Sequence, residues 1–318
     1  MTGISNVPFA KRFFCPGAKI RFTIAPPAHS GRPAKNTTQN ASAQAMGLRR
    51  ETRRQAMAQM LRIKTAGGLT KISLAPKIKK SDGYQTRKEK RRMTSAAQKY
   101  VNAKAQHDQL EFLLAANVRA GDWFLTLTYD DDHLPDSWDR AYKNMQALCR
   151  KLRESRKGEQ TIYFYNIERA HYSEDERCSH RWHHHMVLSG DVDEAALREM
   201  WGRGWVDSHR IVLDPDHTFG SLATYLLKEA NEFPGKRGWR SSRGLAKPET
   251  DSMVVDDDYV IPAPEGTGVM VLENPGPQLT VYGRFQTLKF QALDRYENPV
   301  VSSKYSRRRK RPRKGAAA

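Results

Sequence analysis

His183 and His185 stand one residue apart in the run 181–188, Arg-Trp-His-His-His-Met-Val-Leu, at the head of an apolar stretch. In a β-strand, side chains at i and i+2 share a face, so these two imidazoles project together while His184 points the other way. Two adjacent imidazoles backed by Met186, Val187 and Leu188 form a ready pair of ligands for a divalent metal. The same alternation leads us to expect that alanine at His184 is mild for any metal-dependent chemistry.

Two further segments flank the histidines. Upstream, residues 123–129, Trp-Phe-Leu-Thr-Leu-Thr-Tyr, form an apolar and β-branched run closed by Asp130, Asp131, Asp132 and Pro135, which reads as a strand and a turn. Downstream, residues 221–228, Ser-Leu-Ala-Thr-Tyr-Leu-Leu-Lys, read as a helix on which Tyr225 and Lys228 share a face. In this order the three segments resemble the HUH endonucleases, and among them the rolling-circle replication initiators of small phages, viruses and plasmids. That family shows a strand of the type FLTLT, then a His-hydrophobic-His strand, then a helix carrying Tyr-x-x-Lys. His184 departs from the hydrophobic middle position and keeps the outer spacing. The tyrosine follows the histidines here, whereas relaxases of the superfamily look circularly permuted. The resemblance spans roughly residues 121–290, and residues 240–248 are similar to a segment that follows the tyrosine helix in phage-type members.

The resemblance implies site- and strand-specific nicking and rejoining of single-stranded origin DNA through a 5′-phosphotyrosine. Tyr225 is then the nucleophile, and its phenol, with an ordinary pKa of about 10, needs help to ionise at neutral pH. His183 and His185 would hold Mg2+ or Mn2+ as the Lewis acid on the scissile phosphate, and Lys228 would stabilise the developing charge. Such cations prefer oxygen donors, so two imidazoles need a carboxylate beside them. Glu168 closes the predicted strand 161–168, and antiparallel pairing would set it beside His183 or His185. Family members often use an acidic residue on that strand. Asp130, Asp131 and Asp132 are competing carboxylates, read mainly as turn residues. A rival set, Cys178, His180, His183 and His185, has donors that zinc accepts, but it lacks a second distant ligand pair.

Charge is unevenly spread. Residues 1–100 hold 22 lysines and arginines against 3 acidic residues, residues 101–300 hold 24 against 32, and residues 301–318 hold 8 against none. Basic arms around a mildly acidic centre point to nucleic acid as the partner. Three cysteines without CxxC spacing argue for a reducing compartment, and no apolar run approaches the ~18 residues of a membrane span, so a cytoplasmic location in a bacterial host is expected. No G-x-x-x-x-G-K-[ST] occurs, so strand separation and synthesis would fall to a host helicase and polymerase. The alternatives are a non-catalytic basic DNA-binding regulator of replication or transcription, and a single-tyrosine HUH transposase.

The expected class is α+β, with a central antiparallel sheet of about five strands flanked by helices and basic extensions at both ends. Residues 1–95 read as a basic, largely irregular DNA-binding arm, with a short helix over 46–64 ending before Gly67-Gly68. A leading helix covers 96–120 within a longer helical pattern from residue 86, and the endonuclease domain covers 121–248. An acidic linker with a returning strand fills 249–300, and a basic tail fills 301–318. Helices are predicted over 137–155, 193–201 and 217–231, with a strand near 205–212.

Overall fold

The computed structural model describes residues 12–14, 21–23, 58–77, 96–156, 160–169, 181–190, 192–228, 236–264, 268–280, 283–294 and 299. They fall in two compact units, one running through Thr94–Pro248 and the other drawing on Met1–Met93 and Glu249–Val300. The class is α+β, as expected, with two six-stranded antiparallel sheets, a separate two-stranded one and four α-helices among the described residues.

The first unit is built on β5 (Trp123–Thr128), β6 (Tyr163–Tyr165), β7 (Glu168–Arg169), β8 (Trp182–Leu188), β9 (Val206–Arg210) and β10 (Arg240–Ser241). Their order is β10-β6-β8-β5-β9, all antiparallel, with β7 pairing β8 beyond the end of β6. Helices α1 (Ala96–Asn117) and α4 (Gly220–Leu227) pack on one face, where Leu110, Leu114, Phe164, Val187, Ala223 and Leu226 are buried together. Helices α2 (Trp138–Ser155) and α3 (Glu194–Trp201) cover the other, around Leu125, Leu127, Met145, Leu148, Met186 and Trp201.

Local sequence explains these elements. Strand β5 buries Trp123, Leu125 and Leu127 on one side and turns Phe124, Thr126 and Thr128 to the other, the period of two that its composition predicts. Ser137 caps α2 by accepting from Arg140 N, and Asp193 caps α3 by accepting from Ala196 N at 3.0 Å. Gly202, at φ 53°, ends α3 in the left-handed conformation that glycine adopts freely. Helix α1 is not a detached lead-in: its residues Leu110 and Leu114 are completely buried against α4 and the sheet. The first unit therefore begins before residue 121.

The second unit corrects two expectations. Residues 59–66 are not helical. They form β3 (Gln59–Ala66), which pairs with β4 (Leu69–Pro76) across a two-residue loop at Gly67-Gly68. The pattern behind this has period two: Leu61 and Ile63 alternate with Arg62 and Lys64 before a glycine pair suited to a tight hairpin. The stretch 249–278 is not a linker either. It contains β11 (Glu249–Val255) and β12 (Val269–Glu273), followed by β13 (Gln278–Thr280) and β14 (Gly283–Ala292). The order is β11-β3-β4-β14-β12, with β13 on β14, and one face buries Leu61, Ile72, Leu74, Leu288 and Phe290 under Ile261. Residues 12–14 and 21–23 form a further antiparallel pair, β1 (Arg12–Phe14) and β2 (Arg21–Thr23). The remainder of the predicted arm, the helical pattern before residue 96 and the basic tail lie outside the described residues. No helix among the described residues is long and apolar enough to cross a membrane.

Candidate active site

Strand register assembles the first part of the site. On β8, His183 lies opposite Thr128 and His185 opposite Thr126 of β5, while Glu168 of β7 lies opposite His183 from the other side. The Glu168 Oε2 is 3.1 Å from His183 Nε2 and 3.5 Å from His185 Nε2. One ligand atom from each of the three residues falls within 4.8 Å of the others. Two imidazoles and one carboxylate converging this closely suit a divalent cation, and a three-ligand set leaves coordination positions for water or a phosphate oxygen. The group Glu168, His183 and His185 is therefore a possible metal site, and the identity of the metal is open.

Glu168 is almost fully buried. Burial by itself would raise its pKa, yet hydrogen bonds from His183 and His185, aided by their charge, hold it down to about 2. The carboxylate is thus kept anionic where a cation would need it. His185 Nδ1 lies 3.2 Å from Thr126 Oγ1. When Nδ1–H donates to that hydroxyl and a cation takes the place of the proton shared with Glu168, Nε2 offers the lone pair a metal ligand requires.

Asn166, between β6 and β7, ties the parts together. Its Oδ1 accepts from His185 N at 3.0 Å, its Nδ2 donates to Glu168 Oε1, and the same Nδ2 lies 3.3 Å from the Leu226 carbonyl of α4. One buried amide therefore clasps the carboxylate, the histidine strand and the helix that carries Tyr225. The aromatic contacts extend this. The Tyr225 ring meets His185 edge-on at 4.6 Å between centroids, Phe124 stacks on His185 at 5.7 Å, and Tyr225 meets Phe124 edge-on at 5.6 Å. Buried Ala223 and Leu226 fix α4 to the core, leaving Tyr225 43% exposed. Lys228 follows α4 directly and is exposed, its backbone N–H donating to the Tyr225 carbonyl at 3.2 Å.

Residues 122–230 match the family model of the replication-associated protein ORF2. The match runs from the start of β5 past the end of α4, so it takes in Glu168, His183, His185, Tyr225 and Lys228. It supports a role in replication initiation. Among curated proteins and among solved structures, nothing matches the chain.

Two of the competing carboxylates are engaged elsewhere. Asp130 accepts from His133 N at 3.0 Å, and Asp131 pairs with Arg181 at 2.7 Å. Cys178 and His180, the other half of the rival zinc set, lie outside the described residues. Sequence reasoning missed Asn166 and the part played by Thr126. Asn166 stands two residues before Glu168, a spacing that could have drawn attention to it. The partner of Thr126 is visible only once β5 and β8 are in register.

His184 faces away from the pair, as alternation requires, and what its substitution puts at risk is the fold. It is completely buried, its Nε2 lies 2.7 Å from the Tyr129 hydroxyl, and its ring packs against Trp201. Alanine there would open a cavity and leave the buried Tyr129 hydroxyl with Asn144 Nδ2 as its remaining partner, at a cost of about 2–5 kcal/mol. Burial also drives the His184 pKa from 6.5 down to about 3. The folded protein keeps the ring neutral while the unfolded chain protonates it, so stability is lost as the pH falls through that window. The slope due to His184 is about 1.4 kcal/mol per pH unit. In metal-free protein between pH 6.5 and 4.5, above the ordinary Glu168 value, the urea midpoint of His184→Gln should decline less steeply than that of the wild type. Parallel declines would show that His184 is not kept neutral by the fold.

Proposed function

We propose that the first unit is a divalent-metal-dependent DNA endonuclease and strand transferase that initiates rolling-circle replication, with Tyr225 as nucleophile and Glu168, His183 and His185 as metal ligands. The observation that carries this reading is the Tyr225 ring lying against His185. An accessible phenol sits beside the only imidazole pair that shares a buried carboxylate among the described residues. A bound Mg2+ or Mn2+ would polarise the nonbridging oxygens of the scissile phosphate. Tyr225 Oη then forms a bond to phosphorus as the bond to the 3′-oxygen breaks, and the phenolic proton ends on that oxygen through solvent. Lys228, one turn beyond Tyr225, supplies positive charge for the phenolate or the phosphorane. The phosphotyrosine conserves the energy of the broken bond, so attack by a free 3′-hydroxyl reseals the strand and releases the tyrosine.

The test is a covalent complex. Purified protein incubated with Mn2+ and 5′- or 3′-labelled single-stranded DNA carrying the replication origin should yield an adduct that survives denaturing gel electrophoresis. Only the 3′-labelled strand should travel with the protein, and excess chelator should abolish the product. Gel shifts without cleavage under Mn2+ and Mg2+ would make the protein a DNA-binding regulator instead.

A further inference from the structure

Helix α1 carries His107, Asp108 and Glu111 within little more than one turn, and one ligand atom from each lies within 4.8 Å of the other two. Residues four apart share a helix face, so the His107 ring and the Glu111 carboxylate are neighbours along α1. Glu111 is almost fully buried, its Oε2 faces His107 Nδ1 at 3.7 Å, and Asp108 is half-buried. The cluster lies in the first unit and shares no residue with Glu168, His183 and His185. The hydrogens of the imidazole follow from its partners. His107 Nε2 lies 3.0 Å from the Gly220 carbonyl and 3.0 Å from Thr224 Oγ1, both on α4. A carbonyl only accepts, so Nε2 carries a hydrogen. The Thr224 hydroxyl gives its own hydrogen to the same carbonyl at 3.0 Å, which leaves its oxygen to accept from His107. In the neutral ring Nδ1 then presents a lone pair to the Glu111 carboxylate, acceptor against acceptor. At 3.7 Å the two are too far apart for a hydrogen bond, yet a cation about 2.0–2.2 Å from each fits between them.

We propose that His107 Nδ1, Asp108 and Glu111 bind a second divalent cation, which fastens α1 to the helix that carries Tyr225. One imidazole with two carboxylates suits Mn2+ or Zn2+ better than Mg2+, which favours oxygen donors alone. Asp108 and Glu111 have other contacts, and the cation joins or displaces these. Metal-bound imidazoles characteristically donate their second N–H to a carbonyl or carboxylate, as Nε2 does here to Gly220. Binding at Nδ1 therefore fixes the tautomer that holds Gly220 and Thr224, the residue before Tyr225. Helix α4 is then held near its start by His107 and near its end by Asn166. The site rests on the proposed function only for the worth of holding Tyr225 in place, since none of its ligands belongs to the tyrosine centre.

The test counts ions. Full-length protein stripped with chelator is titrated with Mn2+, and bound ion is read from the loss of the free-ion signal in electron paramagnetic resonance. Wild type should bind two Mn2+ per chain and His183→Ala/His185→Ala one. Asp108→Asn/Glu111→Gln keeps the shape of both side chains and leaves the His107 bonds to α4 in place, and it should weaken the second site at least about tenfold. In the His183→Ala/His185→Ala protein Mn2+ should still raise the thermal midpoint, because it binds the folded chain. Adding His107→Gln to that protein should abolish both the rise and the remaining ion. Glutamine offers an amide N–H to Gly220 but no metal-binding nitrogen, so this variant decides the matter even if the double amide fails to fold. No ion left in His183→Ala/His185→Ala would overturn the site, leaving His107 and Glu111 as an imidazolium–carboxylate pair. A remaining ion that His107→Gln does not release would overturn it too, by placing that cation elsewhere. If wild type binds one ion that His107→Gln removes and His183→Ala/His185→Ala spares, the metal of the tyrosine centre fails and this site stands.

Discussion

Replacing Tyr225 with phenylalanine should abolish covalent adduct formation and nicking while leaving DNA affinity within about twofold of wild type. The change deletes one oxygen and keeps the ring, so the edge-on contacts with His185 and Phe124 persist and α4 stays anchored by Ala223 and Leu226. A residue that supplies the attacking atom has no substitute in its own mechanism, so the expected loss is at least about 10^3-fold. The measurement is the denaturing-gel adduct assay run beside a binding titration. If the adduct persists in the variant, another tyrosine such as Tyr172 carries it, and the assignment of Tyr225 is wrong. If the adduct and the binding vanish together, the phenol is serving recognition and not attack.

Alanine at His183 or at His185 should each remove metal-dependent cleavage and lower Mn2+ affinity, by about 10- to 100-fold per ligand lost. The two variants should differ in a second respect. His183 meets Glu168 through Nε2 and the His185 ring edge-on, whereas His185 also stacks on Phe124, meets Tyr225 and holds Thr126. His185→Ala should therefore disturb the tyrosine as well as the metal, and added Mn2+ should restore part of the activity of His183→Ala but not of His185→Ala. Removing either imidazole relaxes one of the bonds that hold Glu168 at low pKa, so calorimetric Mn2+ binding should also weaken more steeply as the pH falls. Wild-type Mn2+ affinity in both variants would place the metal elsewhere.

Much of the site was legible because strand alternation is a local property. The spacing of His183 and His185, the strand over 123–129 and the helices over 137–155 and 193–201 are each decided within a few residues, and the structure has them where the sequence put them. Glu168 needed one further step, the assumption that its strand pairs with the histidine strand. The structure places it there, although the predicted strand is broken at Asn166 and Ile167. Asn166 was hidden because two of its three bonds reach a strand and a helix further along the chain. The second sheet was hidden for a related reason. Strand β11 turns only Met253 and Val255 toward the core and exposes Glu249, Thr250, Asp251 and Ser252, so its composition is that of a linker. Its partner β3 lies nearly two hundred residues earlier, and periodicity carries no information across that interval.

The chain is written like a parenthesis. Hairpin β3–β4 opens the second unit, Thr94–Pro248 intervenes, and the strands that flank the hairpin, β11 and β14, close it. During synthesis the hairpin leaves the ribosome with both of its edges bare and waits for the whole intervening unit before either is covered. A waiting sheet edge invites pairing with the wrong chain. The half-buried lysines of that hairpin, Lys64 and Lys71, are charges of the kind that discourage such pairing in the interval. Trimming the basic arm follows the same logic. A cut before Gln59 spares hairpin β3–β4, whereas a cut at residue 95 removes the opening bracket and leaves β11 and β14 with nothing to close.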